Sequence, residues 1–234
     1  MKDHLIIGMG EIGKAVSGVL VGAQTVDLYP TKNISMPINT LHICFPYTKD
    51  FVNKVIEYLI KYKANYVIIY STVPIGTCDK ISASVAHSPI EGKHPDLELS
   101  IRTMERWVAS RDKNTLLYFY NLFKGLGISV KKVKDPLFTE ALKLLSTSEY
   151  GINIAFAAYK DEVASDIGMD YSLVKEWNKE YNRLYRELGY GKEYQKYVLE
   201  APEGPIGGHC VVPNAKLLNA DYPNDMLRII EDMG

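Results

Sequence analysis

Several features that mark whole classes of protein are scarce in this 234-residue chain. There are three cysteines, Cys44, Cys78 and Cys210, too few and too far apart for a disulfide framework or a CxxC metal site. Net charge is nearly absent, −1 at pH 7, so no global field favours nucleic acid or an anionic membrane. Apolar runs are short: none approaches the ~20 residues of a membrane span. Met1-Lys2-Asp3-His4 leads straight into a strand-like run and has no signal-peptide pattern. His87 and His94 have no third His or Cys ligand at local spacing, which argues for hydrogen-bonded or solvent-facing histidines and against a metal. The expectation is a cytoplasmic globular protein with no nucleic-acid or membrane partner.

What is present begins with apolar content, 47% of the residues, enough for a sizeable core in one large domain or two modest ones. Leu5-Ile6-Ile7 reads as a short strand. Gly8-Met9-Gly10-Glu11-Ile12-Gly13 follows it, and a helical pattern through Val16, Val19 and Leu20 comes next. This is the dinucleotide fingerprint in its proper context. One glycine makes the tight turn, the second lets a pyrophosphate approach the backbone, and the third lets the helix pack on the strand. Thr25 to Leu28 reads as a second strand carrying Asp27, about 20 residues after Gly8, where a carboxylate accepts hydrogen bonds from an adenosine ribose. An acid there points to NAD rather than NADP.

The connection from Tyr29 to Asn39 is short and rich in Pro, Lys and Asn, so a full crossover helix is not expected and the unit is a trimmed Rossmann fold. Further strands are predicted at Leu41 to Phe45, Tyr66 to Tyr70, Ser84 to Ser88, Trp107 to Ser110 and Ile128 to Val130. Helices are predicted at Phe51 to Tyr62 and Asn114 to Phe123, the latter with Leu116, Leu117, Tyr120 and Phe123 inward. Ligands of open α/β sheets bind outside the carboxyl ends of the strands, which puts Pro46, Tyr47, Ser71 and Thr72 on the rim of a cofactor site.

Asp135-Pro136 is a helix start, with Asp as N-cap and Pro at the first helical position. From there Phe138, Leu142, Leu145, Ile152, Phe156, Val163 and Ile167 recur at helical spacing, predicting one long helix over 136–168 that serves as a dimer interface or interdomain spine. Lys143 and Thr147 share a face beside that stripe; on spacing alone Lys143 reads as solvated. Tyr171 to Leu188 is a second helix, and the run Tyr181, Tyr185, Tyr190, Tyr194, Tyr197 reads as amphipathic packing rather than a stacking platform for bases. A segment over Asn214 to Leu218 and a short helix from Asp225 to Met233 close the chain. The fold class is α/β: a trimmed Rossmann-type, mostly parallel sheet over 1–134, then an all-α domain built on one long helix over 135–234.

Between the last two helical stretches and the rest lies Gly204-Pro205-Ile206-Gly207-Gly208-His209-Cys210. Glycines let such a loop approach a ligand closely, and a cysteine at its end is a candidate nucleophile, the thiolate being the reactive form.

Taken in order, Gly8 to Gly13, Ser71-Thr72-Val73-Pro74-Ile75-Gly76-Thr77, Ser88-Pro89, Glu140-Ala141-Leu142-Lys143, Asn153-Ile154-Ala155-Phe156 and Gly204 to Cys210 resemble the motifs of the UDP-glucose/GDP-mannose dehydrogenase family, nearest to its UDP-N-acetylmannosamine dehydrogenase branch. The resemblance implies an NAD-binding domain, a long dimer-forming helix, and oxidation of a sugar primary alcohol to a carboxylate in two steps. It makes Cys210 the nucleophile, Lys143 the oxyanion stabiliser and Thr72 a neighbour of the nicotinamide. It also places Gly207, Gly208 and His209 at the substrate. Departures from the pattern are Thr147 where the family has Asn, Asn214 where it has Asp, and Ile90 after Ser88-Pro89 where it has Glu, with Glu91 next to it. The family's third, C-terminal domain is not expected within this sequence. Two readings follow: an NAD-dependent dehydrogenase of a sugar-like alcohol, by two- or four-electron oxidation, or an NAD(H)-binding regulatory homologue with little catalysis.

Overall fold

A computed structural model describes residues 1–27, 34–81, 84–93, 95–206 and 210–234. The chain forms two compact units, Met1–Lys143 and Leu144–Gly234, and the division falls inside one helix.

In the first unit, strands β1 (His4–Ile7), β2 (Gln24–Val26), β3 (Thr40–Ile43), β4 (Tyr66–Ile69), β5 (Val85–His87), β6 (Arg106–Ala109) and β7 (Val130–Val133) make one sheet in the order β2-β1-β3-β4-β5-β6-β7. Pairing is parallel except between β5 and β6. Successive side chains of a strand point to opposite faces, and the core divides accordingly. Ile6 and Ile68 join Val16, Val19, Leu97, Ile101, Phe119 and Phe123 on one face. Leu5, Ile7, Val67 and Ile69 join Phe51 and Val55 on the other. Helices α1 (Glu11–Val19), α3 (Leu97–Thr103) and α4 (Lys113–Gly125) thus cover the first face, and α2 (Phe51–Tyr62) the second. The near-continuous apolar strands are what a sheet covered on both sides requires.

Two sequence expectations are corrected, and one element is added. Helix α3 is an addition to them: Leu97, Leu99 and Ile101 alternate like a strand, and Leu99 is exposed while Leu97 and Ile101 pack inward. The last strand runs Val130–Val133, later than Ile128 to Val130: Ile128 and Val130 are core, while Lys131 and Lys132 are exposed on an edge strand and carry no apolar signal. In α4 the inward face is Thr115, Phe119 and Phe123, while Leu117 is exposed. Strand β2 ends at Val26; the expected continuation at Leu28 lies outside the described residues. Among described residues 34–39 there is no helix between β2 and β3.

The sheet's two edges differ. On β2, the Gln24 side chain donates to the Lys2 and Ser35 carbonyls and accepts from the Ser35 amide, tying the strand to the segments before β1 and β3. On β7, Lys131 lies over the Trp107 ring and Lys132 over Tyr120.

Helix α5 (Pro136–Asp166) begins where expected: the Asp135 carboxylate accepts from the Leu137 amide at 3.0 Å. Its residues from Leu144 onward belong to the second unit with α6 (Tyr171–Glu187), α7 (Val211–Asp221) and α8 (Asp225–Asp232). Gly151 makes a notch in α5. A Cβ there would meet Val211 at 2.7 Å and Ile230 at 3.0 Å, so only hydrogen lets α7 and α8 seat this closely. The anticipated apolar stripe is exposed on this chain: Phe138, Leu142, Leu145, Phe156, Val163 and Ile167 all face outward, while Leu144, Ala155, Ala157 and Ala164 are buried. Tyr181, Tyr185, Tyr190 and Tyr194 pack ring against ring, Tyr181 on Tyr185 at 4.2 Å.

Candidate functional site

The sheet order makes β1 a switch point. The chain leaves β1 for β2 on one side and returns to β3 on the other, which opens a crevice at the carboxyl ends of β1 and β3. Gly8, Gly10 and Gly13 line its floor. Gly8 has φ +92, and a Cβ there would meet the Phe45 amide nitrogen at 2.8 Å. At Gly13 a Cβ would fall 1.8 Å from the Gly8 carbonyl oxygen, so the third glycine is set by helix-on-strand contact. At Gly10 a Cβ would meet nothing within 4 Å of protein. Protein packing therefore accounts for two of the glycines and leaves the middle one beside open space, the arrangement a pyrophosphate cradle needs. Gly10 is also the N-cap of α1 and has no side chain to cap it, and the helix N-terminus, where Glu11 and Ile12 begin the first turn, carries the positive end of the helix dipole.

Asp27 is exposed just past β2, and its Oδ1 lies 3.5 Å from the Met9 amide nitrogen inside the glycine loop. Pro46 is exposed and Tyr47 half-buried against Phe51 on the opposite rim. Ser71 is buried and its hydroxyl donates to the Phe45 carbonyl at 2.6 Å, tying the loop after β4 to the loop after β3. Thr72 follows, half-buried.

A second cluster lies along the ends of β4, β5 and β6 and the first two turns of α5. Lys143 Nζ is 3.2 Å from Glu91 Oε2, the lysine side chain 15% exposed and the glutamate 43%. The solvated reading of Lys143 is thereby corrected: burial of its stem brings it to a carboxylate that sequence spacing could not place. His87 is fully buried, Nε2 3.2 Å from the Ser71 carbonyl and Nδ1 2.8 Å from the Thr139 hydroxyl. The Ser71 carbonyl can only accept, so Nε2 donates to it, and the Thr139 hydroxyl, whose one proton also has the Pro136 carbonyl 3.1 Å away, is the partner of Nδ1. Burial lowers its pKa to about 4, and it is neutral at pH 7. Arg106, buried at the start of β6, donates through Nη2 to the Ser88 carbonyl, the Ser88 hydroxyl and the Pro89 carbonyl. It thereby holds the strand-to-loop turn that leads to Glu91. Burial lowers its pKa to about 10, which leaves it charged.

Glu140 is fully buried. Its Oε2 accepts from the Gly76 amide at 2.6 Å and its Oε1 from the Cys78 amide at 2.9 Å. Sequence reasoning assigned no role to Arg106, Thr139 or Glu140. The available signals were a charged residue opening an apolar strand and an acid one turn before Lys143.

In the second unit, Cys210 is exposed and occupies the N-cap position of α7. Asn214, one turn on, is buried, its amide bonded to the Cys210 carbonyl at 3.0 Å. Gly207, Gly208 and His209 lie outside the described residues, as does His94. Thr147 is half-buried on α5. Cys44 and Cys78 are buried, and burial pushes both thiols up, so Cys210 is the exposed one of the three. A groove of about 450 Å³ runs between α5 and α8, lined by Phe156, Tyr159, Met226 and Ile229 among others. Among the described residues, no three metal-ligating side chains converge and no helix is long and apolar enough to cross a membrane.

No family model matches the sequence, and no curated protein matches it. Solved structures do match the fold. UDP-D-ManNAc dehydrogenase from Pyrococcus horikoshii superposes with a TM-score of 0.79 at 16% identity, over 98% of this chain and 68% of that one. UDP-N-acetyl-mannosamine dehydrogenase from Staphylococcus aureus gives 0.76 at 13% identity, over 98% and 66%. The 3-hydroxyisobutyrate dehydrogenase of Mycobacterium tuberculosis gives 0.70 at 14% identity, over 98% of this chain and 91% of that one. The fold is thus a Rossmann-type unit followed by a helical region, as in nucleotide-sugar and hydroxyacid dehydrogenases. The chain spans about two thirds of the nucleotide-sugar dehydrogenases it resembles.

Proposed function

We propose that the protein is a nicotinamide-dinucleotide-dependent dehydrogenase of an alcohol on a sugar or nucleotide-sugar-like substrate. The observation that carries this reading is the glycine cradle at the sheet's switch point, closed by packing at Gly8 and Gly13 and open at Gly10, with Asp27 against its loop. Gly8, Gly10, Glu11, Ile12 and Gly13 would hold the pyrophosphate through backbone amides, Asp27 the adenosine ribose, and Pro46, Tyr47, Ser71 and Thr72 the nicotinamide side. The carboxylate of Asp27 repels a 2′-phosphate, which favours NAD. When bound, the cofactor supplies the hydride acceptor. Residues 1–134 carry this role, and 135–234 the substrate and dimer contacts.

The chain's own residues set up the rest. Lys143 donates hydrogen bonds to the substrate oxygen, stabilising negative charge as the hydroxyl proton leaves toward Glu91 and solvent. In the four-electron course Cys210 adds to the aldehyde to give a thiohemiacetal, a second equivalent of the dinucleotide would accept its hydride and leave a thioester, and water releases the acid and the thiol. Gly207, Gly208 and His209 would line the substrate, and Thr147 and Asn214 support Lys143 and Cys210. The exposed stripe of α5 supports a homodimer through that helix.

Two other outcomes have specific support. The match over 91% of a hydroxyacid dehydrogenase favours a two-electron course in which Cys210 is a bystander. Asn214, which cannot act as a base, favours a nucleotide-binding homologue with little turnover. Calorimetry with NAD, NADH and NADP is the first test, and failure to bind any of them would refute the dehydrogenase and binding readings together. A panel of nucleotide sugars and hydroxyacids followed at 340 nm then finds the donor class. Two NADH per product with an inactive Cys210→Ser variant identifies the four-electron course; one NADH with full activity in that variant identifies the other.

A further inference from the structure

We infer that the Glu140 carboxylate is a positioning residue that fixes the nicotinamide-side rim of the crevice, the loop from Ser71 to Cys78. The inference rests on the dehydrogenase reading above.

Glu140 projects from the first turns of α5 and is fully buried, with both oxygens engaged by backbone amides of this loop, Gly76 at 2.6 Å and Cys78 at 2.9 Å. Two amides at alternate positions converge on one carboxylate, so its place and orientation dictate the backbone between them. The residue before it, Thr139, holds the other end of the same loop through His87, whose ring bridges the Thr139 hydroxyl and the Ser71 carbonyl. Thr72 lies between the two attachments. Ser71 is in turn bonded to the Phe45 carbonyl beside Pro46 and Tyr47, so what α5 fixes is carried to the loop after β3 on the same nicotinamide side.

One turn beyond Glu140 on the same helix is Lys143, ion-paired with Glu91. The first turns of α5 therefore key the cofactor loop and the substrate-oxygen donor from a single rigid element.

A buried carboxylate is a costly way to close a loop, since desolvation raises its pKa and works against the charge. The amides on it offset that cost. Glutamine has one acceptor oxygen, and its NH2 would face an amide N–H, so Glu140→Gln removes one hold while keeping the size of the side chain. In that reading the adenine half of the cofactor would rest on the β1–α1 turn and Asp27, with β3 between that turn and this loop. A merely structural role for Glu140 would weaken both halves of the site alike; a positioning role separates them.

The test is calorimetric titration of wild type and Glu140→Gln with ADP-ribose and with NADH or NADPH, whichever wild type binds more tightly, together with amide exchange over residues 71–78. Loss of one charge-assisted hydrogen bond predicts about a tenfold weaker reduced cofactor or more, faster exchange at Gly76 and Cys78, and ADP-ribose affinity within about twofold. Equal weakening of both ligands, or of neither, overturns the inference. If Glu140→Gln does not fold, Thr139→Val cuts the other attachment and must show the same selective loss, or the inference fails. Absence of all nucleotide binding in wild type is read separately: it sinks the dehydrogenase reading and this inference with it.

Discussion

Lys143 reaches the Glu91 carboxylate at 3.2 Å, joining the second turn of α5 to the loop after β5. The pair is half-shielded, which makes the interaction stronger than a surface bridge and leaves the carboxylate open to exchange protons with water. Lys143→Met removes the oxyanion donor and is expected to lower kcat by ~10²- to 10³-fold with nucleotide affinity intact. Glu91→Gln leaves the ammonium in place and should cost less. Steady-state kinetics beside calorimetry decide both, and a Lys143→Met enzyme of normal kcat would remove the lysine from the chemistry.

The glycines of the cradle separate packing from ligand contact. Gly13→Ala puts a methyl 1.8 Å from the Gly8 carbonyl oxygen, and a loss of roughly 3 kcal/mol in urea unfolding is expected. Gly10→Ala meets no protein atom, so its melting temperature should match wild type while nucleotide affinity collapses. A Gly10→Ala variant that binds as well as wild type would move the pyrophosphate elsewhere.

Asp27 sets the choice between the two dinucleotides. Asp27→Ser is expected to weaken NAD and to shift the NAD to NADP affinity ratio toward NADP by about tenfold, the loss of one charged contact. Calorimetric titrations with both nucleotides measure it.

His87 makes the fold acid-sensitive. Its pKa is about 4 in the folded chain against an ordinary 6.5, so the unfolded chain takes the proton first. Stability is then lost as pH falls through 6.5 toward 4, about 2 kcal/mol of it by pH 5. His42, buried between His4 and Tyr70, is lowered for the same reason and adds in the same direction. Urea midpoints at pH 7 and pH 5 should differ less in His87→Gln than in wild type, and equal differences would assign the acid loss to other groups.

The exposed stripe of α5 carries the proposed dimer. Phe156→Asp lies on it and lines the groove beside α8. Sedimentation should show the wild-type chain as a dimer and the variant shifted to monomer, with secondary structure unchanged by circular dichroism.

Much of this architecture is legible in the sequence because local rules set it. The glycine turn, the period of α2 and the capped start of α5 need only neighbours in the chain. Lys143 with Glu91, Glu140 with Gly76 and Cys78, and Arg106 with Ser88 and Pro89 join residues far apart in sequence, and no periodicity encodes such partners. Helix α3 is hidden by an alternation of Leu97, Leu99 and Ile101 that only burial resolves. Edge position likewise lets β7 carry Lys131 and Lys132 where a central strand would be apolar. The substrate loop's Gly207, Gly208 and His209 remain a sequence-level expectation.

The charged edge strand β7 has a consequence for handling the protein. Unpaired strand edges recruit other strands and seed aggregates. Here the exposed Lys131 and Lys132 set like charges along β7, so that edge repels its own kind. Concentrated solutions of the folded chain should therefore resist fibril growth, and assembly is left to the helices.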